Sequence, residues 1–379
     1  MSRYLAWCFL AVVMLVVSAP LQAVTYEVGG CKTGKSYVNF TTISAAVAGV
    51  PEGSTIEVCP GVYPEQVTIT QPLTLKGIGF NNANRCVITI NLNGSLAPNV
   101  TSFTGLQFYA QVLVQNVSPA GAVNIIGITV DGSGANARCS SLTLAGIFYA
   151  SSTSGTVNEV TARNQVNSGC GYGIWVENGS STNEVITIEN SSVHNAGSND
   201  GGIAAFSVNP PTLVANINGN FLSNAGFLAI EHSTTGEISQ NLVTPDDSAG
   251  IGILAVNDPY IAFGNENPDV VDSNTVADTL GKAIEVHVDG IDVTSNKLSN
   301  VGTGILIVAD PTYTVGPAAL SNAIKNTLCA IDLDGGLYFG TGGNTINDSL
   351  YGYANSFGFF PGNAFYNTDN VTSNSTSCP

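Results

Sequence analysis

The sequence has little positive charge. Its 379 residues include 10 Lys and Arg against 27 Asp and Glu, which gives a formal net charge of −17. Nucleic-acid binding requires a basic patch that neutralises phosphates, so this composition argues against a nucleic-acid partner. The same deficit disfavours anionic membrane surfaces, and polyuronate chains would be repelled unless cations bridged them.

Long apolar runs are also scarce, although apolar residues make up 44% of the chain. The stretch that stands out is Leu5–Ala19, which follows Arg3 and precedes a small-residue cleavage point at Ala23. This order is typical of a secretory signal peptide over residues 1–23, and the stretch is short for a membrane span. We therefore expect an exported mature chain, secreted, periplasmic or on the cell surface, that does not span a membrane.

Cysteines are few, and Cys8 would leave with the signal peptide. The seven that remain favour disulfides in an exported protein. Nearness in sequence suggests the pairs Cys31–Cys59, Cys139–Cys170 and Cys329–Cys378, with Cys86 left over, although spacing alone does not fix the connectivity. Neither a C-x-x-C motif nor a His-rich metal pattern is present.

A short strand motif is abundant. In it, Gly or Ala is followed by Ile, and side chains then alternate between apolar and other residues. Copies begin at Gly127, Gly146, Gly173, Gly202, Ala229, Gly252, Ala283, Gly304 and Ala330. In one copy, Ile284 and Val286 alternate with Glu285 and His287, a period of two that predicts a strand with one apolar and one polar face.

A second motif, Asn-x-apolar, recurs between these strands. Its members are Asn164, Asn220, Asn241, Asn274, Asn296, Asn326 and Asn344, with Asn190 as a looser copy. Short strands that recur along the chain, with Gly and Asn at the corners between them, predict a solenoid whose coils stack about 4.8 Å apart. Equivalent Asn amides would then bond to each other from coil to coil. The predicted fold is all-β, a single-stranded right-handed parallel β-helix. An antiparallel sandwich or propeller is the alternative.

The N-terminal part of the mature chain carries a family resemblance. Phe40–Val47, Gly61–Ile69 and Leu73–Gly77 resemble the start of pectin methylesterases and of related exported proteins of the pectin-lyase-like superfamily. The resemblance implies the same β-helix fold. The esterase motifs Q-D-T-L, G-x-x-D-F-I-F-G and L-G-R-P-W have no counterpart here, so it does not imply esterase activity.

Four segments follow from these patterns. They are a signal peptide (1–23), an N-terminal cap with the first coils (24–80), the parallel β-helix (81–350) and a C-terminal cap or tail (351–379). The cap should include a short helix, because Ile43, Ala46, Val47 and Val50 share one face at helical spacing. A first coil has no neighbour to bury its end and needs such a cover.

Aligning the small-Ile strands places candidate catalytic residues in one outward column. The second position after the small residue is occupied by Trp175, Ala204, Glu231, Leu254, Glu285, Leu306 and Asp332. Glu231, Glu285 and Asp332 fall on alternate coils, roughly 9–10 Å apart, near the acid–base separation of inverting glycosidases. His287 shares the face of Glu285 and could take part in proton transfer. A solvated polar face is the alternative interpretation.

The sixth position predicts a cation site. Asp258, Asp289 and Asp310 occupy it in three consecutive coils. Carboxylates stacked at about 5 Å repel one another unless solvated, partly protonated or bridged by an ion such as Ca²⁺. The alternative is that Asp simply ends these strands, and no cofactor is otherwise required.

Three aromatic residues are candidate glycan-stacking groups. Trp175, Tyr260 and Tyr313 could lie against sugar rings, because an aromatic ring combines apolar area with a polar edge. Each could instead be a packing residue. A lyase of this superfamily would also need a basic residue, for which Lys282 and Lys297 are the nearby candidates.

The functional hypothesis is an exported β-helix that binds a polysaccharide or cell-surface glycan along an acidic outer groove and, if catalytic, cleaves it as a hydrolase or lyase. It rests on fold-level analogy joined to the acidic and aromatic column. The alternative is a non-catalytic envelope or adhesin-like β-helix. The absence of a complete catalytic motif favours this alternative.

Overall fold

The structure is a computed structural model. It describes residues 25–32, 37–79, 86–90, 97–117, 121–134, 142–165, 171–196, 201–208, 212–245, 250–256, 270–287, 290–309, 318–335, 340–355, 373–375 and 378. The predicted signal peptide lies outside these residues. A short helix, α1, spans Ile43–Gly49.

Strands make up most of the described chain. They are β1 (Thr25–Val28), β2 (Val38–Phe40), β3 (Ser54–Val58), β4 (Gly61–Pro64), β5 (Val67–Ile69), β6 (Leu73–Gly77), β7 (Cys86–Thr89), β8 (Val100–Thr101), β9 (Gln107–Val114), β10 (Ala122–Ile126), β11 (Thr129–Asp131), β12 (Thr143–Tyr149), β13 (Ser154–Asn158), β14 (Thr161–Arg163), β15 (Gly171–Asn178), β16 (Glu184–Glu189), β17 (Ser192–Ala196), β18 (Gly201–Ser207), β19 (Leu213–Asn218), β20 (Phe221–Ala225), β21 (Leu228–Ser233), β22 (Glu237–Ser239), β23 (Leu242–Thr244), β24 (Ile251–Val256), β25 (Val270–Asp272), β26 (Thr275–His287), β27 (Asp292–Thr294), β28 (Lys297–Ala309), β29 (Ala318–Leu320), β30 (Ala323–Gly335), β31 (Gly340–Gly342), β32 (Thr345–Asn347), β33 (Tyr351–Asn355) and β34 (Ser373–Ser375).

These strands stack as three ladders. Ladder 1 runs β2-β1-β3-β6-β10-β13-β16-β19-β22-β25-β27-β29-β31. Ladder 2 runs β4-β7-β11-β14-β17-β20-β23 and continues through the first parts of β26, β28 and β30 to β32. Ladder 3 runs β5-β9-β12-β15-β18-β21-β24 and continues through the last parts of β26, β28 and β30 to β33 and β34. The chain passes through ladders 1, 2 and 3 in turn, and each such passage forms one coil.

Strand direction decides between the two predicted architectures. Among the described residues, the strand pairings are parallel except between β8 and β9. A sandwich or propeller would require antiparallel neighbours. The prediction of a parallel β-helix is therefore confirmed.

The Ile of the repeated motif forms the centre of the core. Ile147, Ile174, Ile203, Ile230, Ile253, Ile284, Ile305 and Ile331 pair in register along ladder 3 and have no exposed surface. The preceding residue is small because the next coil approaches closely. A Cβ added at Gly202 would lie 2.3 Å from the Ala229 carbonyl oxygen, and one added at Gly304 would lie 2.4 Å from that of Ala330.

A buried Asn ladder fixes the corner between ladders 1 and 2. Its members are Asn220, Asn241, Asn274, Asn296, Asn322 and Asn344, and each amide donates to the next side-chain carbonyl at 2.9–3.0 Å. The residue before each has positive φ, which makes a sharp two-residue corner. The predicted column was wrong at three positions. Asn190 has positive φ and precedes Ser191, whose backbone N–H donates to Asn220 Oδ1 at the ladder position. Asn164 and Asn326 have positive φ themselves and lie at the corner between ladders 2 and 3.

Two disulfides lie near the ends of the described chain. Cys31 bonds to Cys59, and Cys329 bonds to Cys378. Cys86 is a buried free thiol, while Cys139 and Cys170 lie outside the described residues. Near the first disulfide, α1 buries Ile43, Ala46 and Val47, and the Glu65 carboxylate accepts the backbone N–H groups of Ile43 and Ser44.

Candidate functional site

The outer face of ladder 3 carries the predicted catalytic column. Strand pairing places Trp175, Ala204, Glu231, Leu254, Glu285, Leu306 and Asp332 side by side in that order. The predicted register is confirmed at every step. Glu285 lies two strands from both Glu231 and Asp332, roughly 9–10 Å along the ladder.

Glu285 is the centre of a charged cluster. Its side chain is 10% exposed. Lys282 Nζ donates to Glu285 Oε2 at 2.8 Å, and His287 Nε2 lies 2.7 Å from Glu285 Oε1. Burial alone would raise the pKa of the Glu285 carboxyl, but the hydrogen bonds from His287 and Lys282 outweigh it and hold that pKa below its ordinary value. Glu285 is therefore ionised at neutral pH.

Asp332 is in the opposite electrostatic situation. It is half-buried, and the exposed Asp334 follows two residues later on the same side of β30. Burial and repulsion from Asp334 raise the pKa of the Asp332 carboxyl, although Lys282 partly opposes this shift. One column thus holds two carboxyl groups whose surroundings move their pKa values in opposite directions.

Apolar residues separate the carboxyl groups. Leu254 lies between Glu231 and Glu285, and Leu306 lies between Glu285 and Asp332. Leu254 and Glu231 are half-buried, and Leu306 is 8% exposed. The surface therefore alternates apolar and acidic strips along the stack.

Towards the N-terminus, the same outer face becomes an aromatic cluster. It contains Phe108, Phe148, Trp175 and Phe206, with Tyr172 at its border. The centroid of the Trp175 ring lies 4.6 Å from that of Phe206 and 4.8 Å from that of Tyr172. Aromatic rings at such separations stabilise one another beyond their area burial.

Trp175 is only 3% exposed, so the prediction that its ring is available to a sugar was wrong. Its side chain does point outward from the coil, but residues 99–106 fold back over it. We call this segment the cover hairpin. Its Val100 pairs antiparallel with Phe108 of β9, and its Phe103 packs on the aromatic cluster.

Glu177 joins the cover hairpin to the aromatic cluster. Its carboxyl accepts the Phe103 backbone N–H at 3.1 Å and the Trp175 Nε1–H at 2.9 Å. Burial raises the pKa of Glu177 to about 7, although both hydrogen bonds oppose the shift. Sequence reasoning missed Glu177 because it looked for carboxyl groups only at positions two and six after the small residue. Glu177, His287 and Asp334 all occupy position four.

The predicted cation site and two predicted aromatic contacts lie outside the described residues. They are Asp258, Asp289 and Asp310, with Tyr260 and Tyr313, and they stay predictions. Within the described ranges, Glu27, Cys31 and Cys59 bring potential metal donors together. The Cys31–Cys59 disulfide occupies both sulfurs, so this group does not offer the thiolates that a metal would need.

Comparison with known proteins identifies the fold. The catalytic domain of a GH87 α-1,3-glucanase in complex with nigerose matches with a TM-score of 0.54 and 12% identity, over 94% of this chain and 70% of that one. The chain shares the right-handed parallel β-helix fold of this glucanase domain. No protein-family model matches it, and neither does any curated protein sequence.

Two further solved structures are similar to this β-helix. A GH87 α-1,3-glucanase from Streptomyces thermodiastaticus strain HF3-3 matches with a TM-score of 0.48 and 15% identity, over 88% of this chain and 65% of that one. Pectin methylesterase PemA from Erwinia chrysanthemi matches with a TM-score of 0.46 and 14% identity, over 74% and 90%. No helix in the described ranges has the length and apolar character needed to cross a bilayer.

The two lysines considered as lyase bases lie on different faces of the β-helix. Lys282 belongs to the Glu285 cluster on ladder 3. Lys297 lies on ladder 2, where it pairs with Thr275 and Ala323. Lys282 donates a hydrogen bond to Glu285 Oε2, so it is placed to stabilise negative charge at that carboxylate.

Proposed function

We propose that this protein is an exported β-helix that binds a polysaccharide along the outer face of ladder 3 and hydrolyses it, with Asp332 as general acid and Glu285 as general base. The opposite pKa shifts of these two carboxyl groups carry the proposal. An acid and a base in one active site need surroundings that favour the protonated form of one group and the ionised form of the other.

The assignment of roles follows from the protonation states. Burial and repulsion from Asp334 raise the pKa of Asp332 and so favour its protonated form, which would give its proton to the glycosidic oxygen as the bond to the anomeric carbon breaks. Ionised Glu285 would take a proton from the water that attacks the opposite face of the sugar. Each of its oxygens already accepts one hydrogen bond and keeps a further lone pair for that water. Their spacing leaves room for a water, as in inverting glycosidases.

A glycan as the ligand class is supported by fold analogy. The α-1,3-glucanase domain with the same fold was solved with nigerose and with tetrasaccharides. Half-buried Leu254, between Glu231 and Glu285, would supply apolar contact to a sugar ring. The predicted secretory segment agrees with an extracellular polymer as substrate.

A non-catalytic role is the second candidate, favoured by one observation. Both oxygens of Glu285 are engaged, by Lys282 and by His287. A network of this kind also occurs without catalysis, where it neutralises a buried carboxylate on a rigid surface used for adhesion or spacing.

A paired binding and hydrolysis screen separates the two candidates. The chain from residue 24 onward would be tested against α-1,3-glucan, other neutral glucans, xylan and homogalacturonan, measuring both binding and release of reducing ends. We expect turnover of at least one polymer. Glu285→Gln and Asp332→Asn should each lower kcat by about 100-fold or more while binding is retained.

Glu237→Gln is the matched control, because Glu237 is an exposed carboxylate on ladder 1 and should not affect turnover. Binding without release of reducing ends from any polymer would favour the adhesin-like role. Turnover that survives both Glu285→Gln and Asp332→Asn would place the chemistry elsewhere.

A further inference from the structure

The outer face of ladder 2 contains a small groove that the proposed hydrolytic site does not use. Its volume is about 250 Å³. The side chains that matter for its chemistry are Lys297, Ser299, Ala323, Lys325, Thr345 and Asn347. The volume is below the usual range for drug-sized ligands, so the groove suits one sugar unit or one charged substituent.

Strand register explains the shape of the groove. Lys297, Ala323 and Thr345 pair in one column, and Ser299, Lys325 and Asn347 pair in the next. The small Ala323 side chain leaves space between Lys297 and Thr345. Lys297 and Lys325 lie diagonally across neighbouring strands, with backbones roughly 8 Å apart. Both long side chains can therefore reach the same small group.

The charge of the groove contrasts with that of the whole chain. Basic residues number 10 in a protein of net charge −17, and two of them line this groove. Elsewhere, Lys32 pairs with Glu57, Arg163 with Asp131, and Lys282 with Glu285. Within the described ranges, Lys297 and Lys325 form no ion pair with a carboxylate. Two adjacent cations without an acidic partner are repulsive until an anion binds between them.

An apolar edge continues the same column. Thr275 pairs with Leu242, and Leu242 pairs with Phe221. Phe221 is 40% exposed and Leu242 is 43% exposed. An exposed ring and an aliphatic side chain in the same column as the Thr275 hydroxyl and the Lys297 ammonium group fit the faces of a sugar better than they fit a free inorganic anion.

We infer that this groove binds an acidic saccharide through its anionic substituent, a carboxylate or a sulfate, which Lys297 and Lys325 contact together. Ser299, Thr345 and Asn347 would bond to neighbouring hydroxyl groups, and Phe221 with Leu242 would contact the next sugar. The saccharide part of this inference rests on the proposed function, whereas the anion part does not. Net charge alone disfavours polyanions, but two local cations decide the sign of the potential at short range.

A binding experiment with three probes tests the inference. Isothermal titration at low ionic strength would use an oligogalacturonate, a sulfated dextran oligosaccharide and a neutral dextran oligosaccharide. We expect at least one acidic probe to bind about tenfold or more tightly than the neutral one, and which acidic probe binds distinguishes carboxylate from sulfate. The double variant Lys297→Gln/Lys325→Gln should lose that preference, and added salt should weaken it.

Lys76→Gln is the matched control, because Lys76 is an exposed lysine on ladder 1 outside the groove. It should bind within about twofold of the parent protein, since electrostatic contact falls off within a Debye length. Equal affinity for neutral and acidic probes would overturn the inference. So would an equal loss in Lys76→Gln, or binding of inorganic sulfate as tight as that of the saccharides. Loss of turnover in Glu285→Gln and loss of acidic-probe binding in Lys297→Gln/Lys325→Gln are separate readouts, so the failure of one proposal does not imply failure of the other.

Discussion

Two halves of the outer face of ladder 3 share one strand geometry and differ in everything else. In β9, β12, β15 and β18, the outward column consists of Leu113, Phe148, Trp175 and Ala204, and Trp175 is buried under the cover hairpin. In β21, β24, β26, β28 and β30, the same column alternates carboxyl groups with leucines. Strand register therefore decides where a side chain points. Its residue type, and whether another segment buries it, decide whether it can contact a ligand. The covered half stabilises the fold, whereas the acidic half contains the residues proposed to act in catalysis.

The largest expected effect comes from removing the Trp175 ring from the covered half. Trp175→Ala removes a ring packed against Phe206 and Tyr172. Loss of a buried Trp should lower the free energy of unfolding by about 3–5 kcal/mol. Urea denaturation followed by circular dichroism would measure it. Leu254→Ala, in the acidic half, is the matched test and should lower that free energy by less than about 2 kcal/mol, because Leu254 is only half-buried. Equal losses would contradict the distinction between the halves.

The next effect is the pH dependence of the covered half. Because burial raises the pKa of Glu177 to about 7, the folded chain keeps a proton that the unfolded chain loses at its ordinary, lower pKa. The contribution of Glu177 to stability should therefore fall as pH rises from about 4.5 to about 7, by on the order of 3 kcal/mol, and be flat on either side of that range. Glu177→Gln should abolish this contribution, as measured by unfolding at pH 5 and pH 7.5.

Glu189→Gln provides the control for Glu177, since Glu189 is half-buried on ladder 1. Its pH dependence should equal that of the parent protein. Trp175 adds a spectroscopic readout, because the chain has two Trp residues and Trp7 lies in the predicted signal peptide. Trp emission that does not change between pH 5 and pH 8 would contradict the assignment to Glu177.

Loosening the cover hairpin should have a smaller effect. Phe103→Ala removes a half-buried ring that packs on the aromatic cluster. We expect a loss of about 1–2 kcal/mol of unfolding free energy and a red shift of Trp emission as water reaches Trp175. Fluorescence spectra and thermal unfolding would measure both. Leu106→Ala, at an exposed position of the same hairpin, should change neither. An unshifted spectrum in Phe103→Ala would show that the ring does not shield Trp175.

The smallest effect belongs to the acidic half. Lys282→Gln removes one partner of Glu285, but Lys282 is 37% exposed, so the loss should be about 1 kcal/mol or less at pH 7. The pKa of Glu285 is lowered in the folded state. Ionised Glu285 therefore contributes to the free energy of unfolding above its ordinary pKa, and this contribution disappears as pH falls through the pKa of the folded state. The difference between variant and parent should shrink towards pH 3, as measured by unfolding. A difference that grows in acid would contradict the sign of the shift.

Much of the architecture could be predicted from the sequence, because a β-helix converts sequence repeats into spatial columns. The small-Ile motif gave the register of ladder 3 from Trp175 to Asp332 without error. The Asn column was less accurate, since two corners of each coil accept Asn for different reasons. One corner uses a buried amide, as at Asn322, and the other uses the tolerance of Asn for positive φ, as at Asn326.

Exposure could not be predicted in the same way. The cover hairpin has no repeat signature, and its Phe103 reaches Glu177 across 74 residues of sequence. The groove on ladder 2 was missed for a related reason. Lys297 and Lys325 belong to different coils and to different columns, so only the register of β28 against β30 on ladder 2 brings them together. Repeats in the sequence predict which residues line up in a column. They do not predict where a column contacts an irregular segment, such as the cover hairpin, or where two columns together form a groove.

The most direct test of the proposed acid–base pair is a carboxyl titration. ¹³C-labelled Glu and Asp carboxyl groups would be followed by NMR against pH, with Glu285→Gln and Asp332→Asn used to assign the two signals. We predict that Glu285 titrates below the ordinary glutamate range and that Asp332 titrates above the ordinary aspartate range. Two ordinary midpoints, or shifts in the reverse order, would contradict the account.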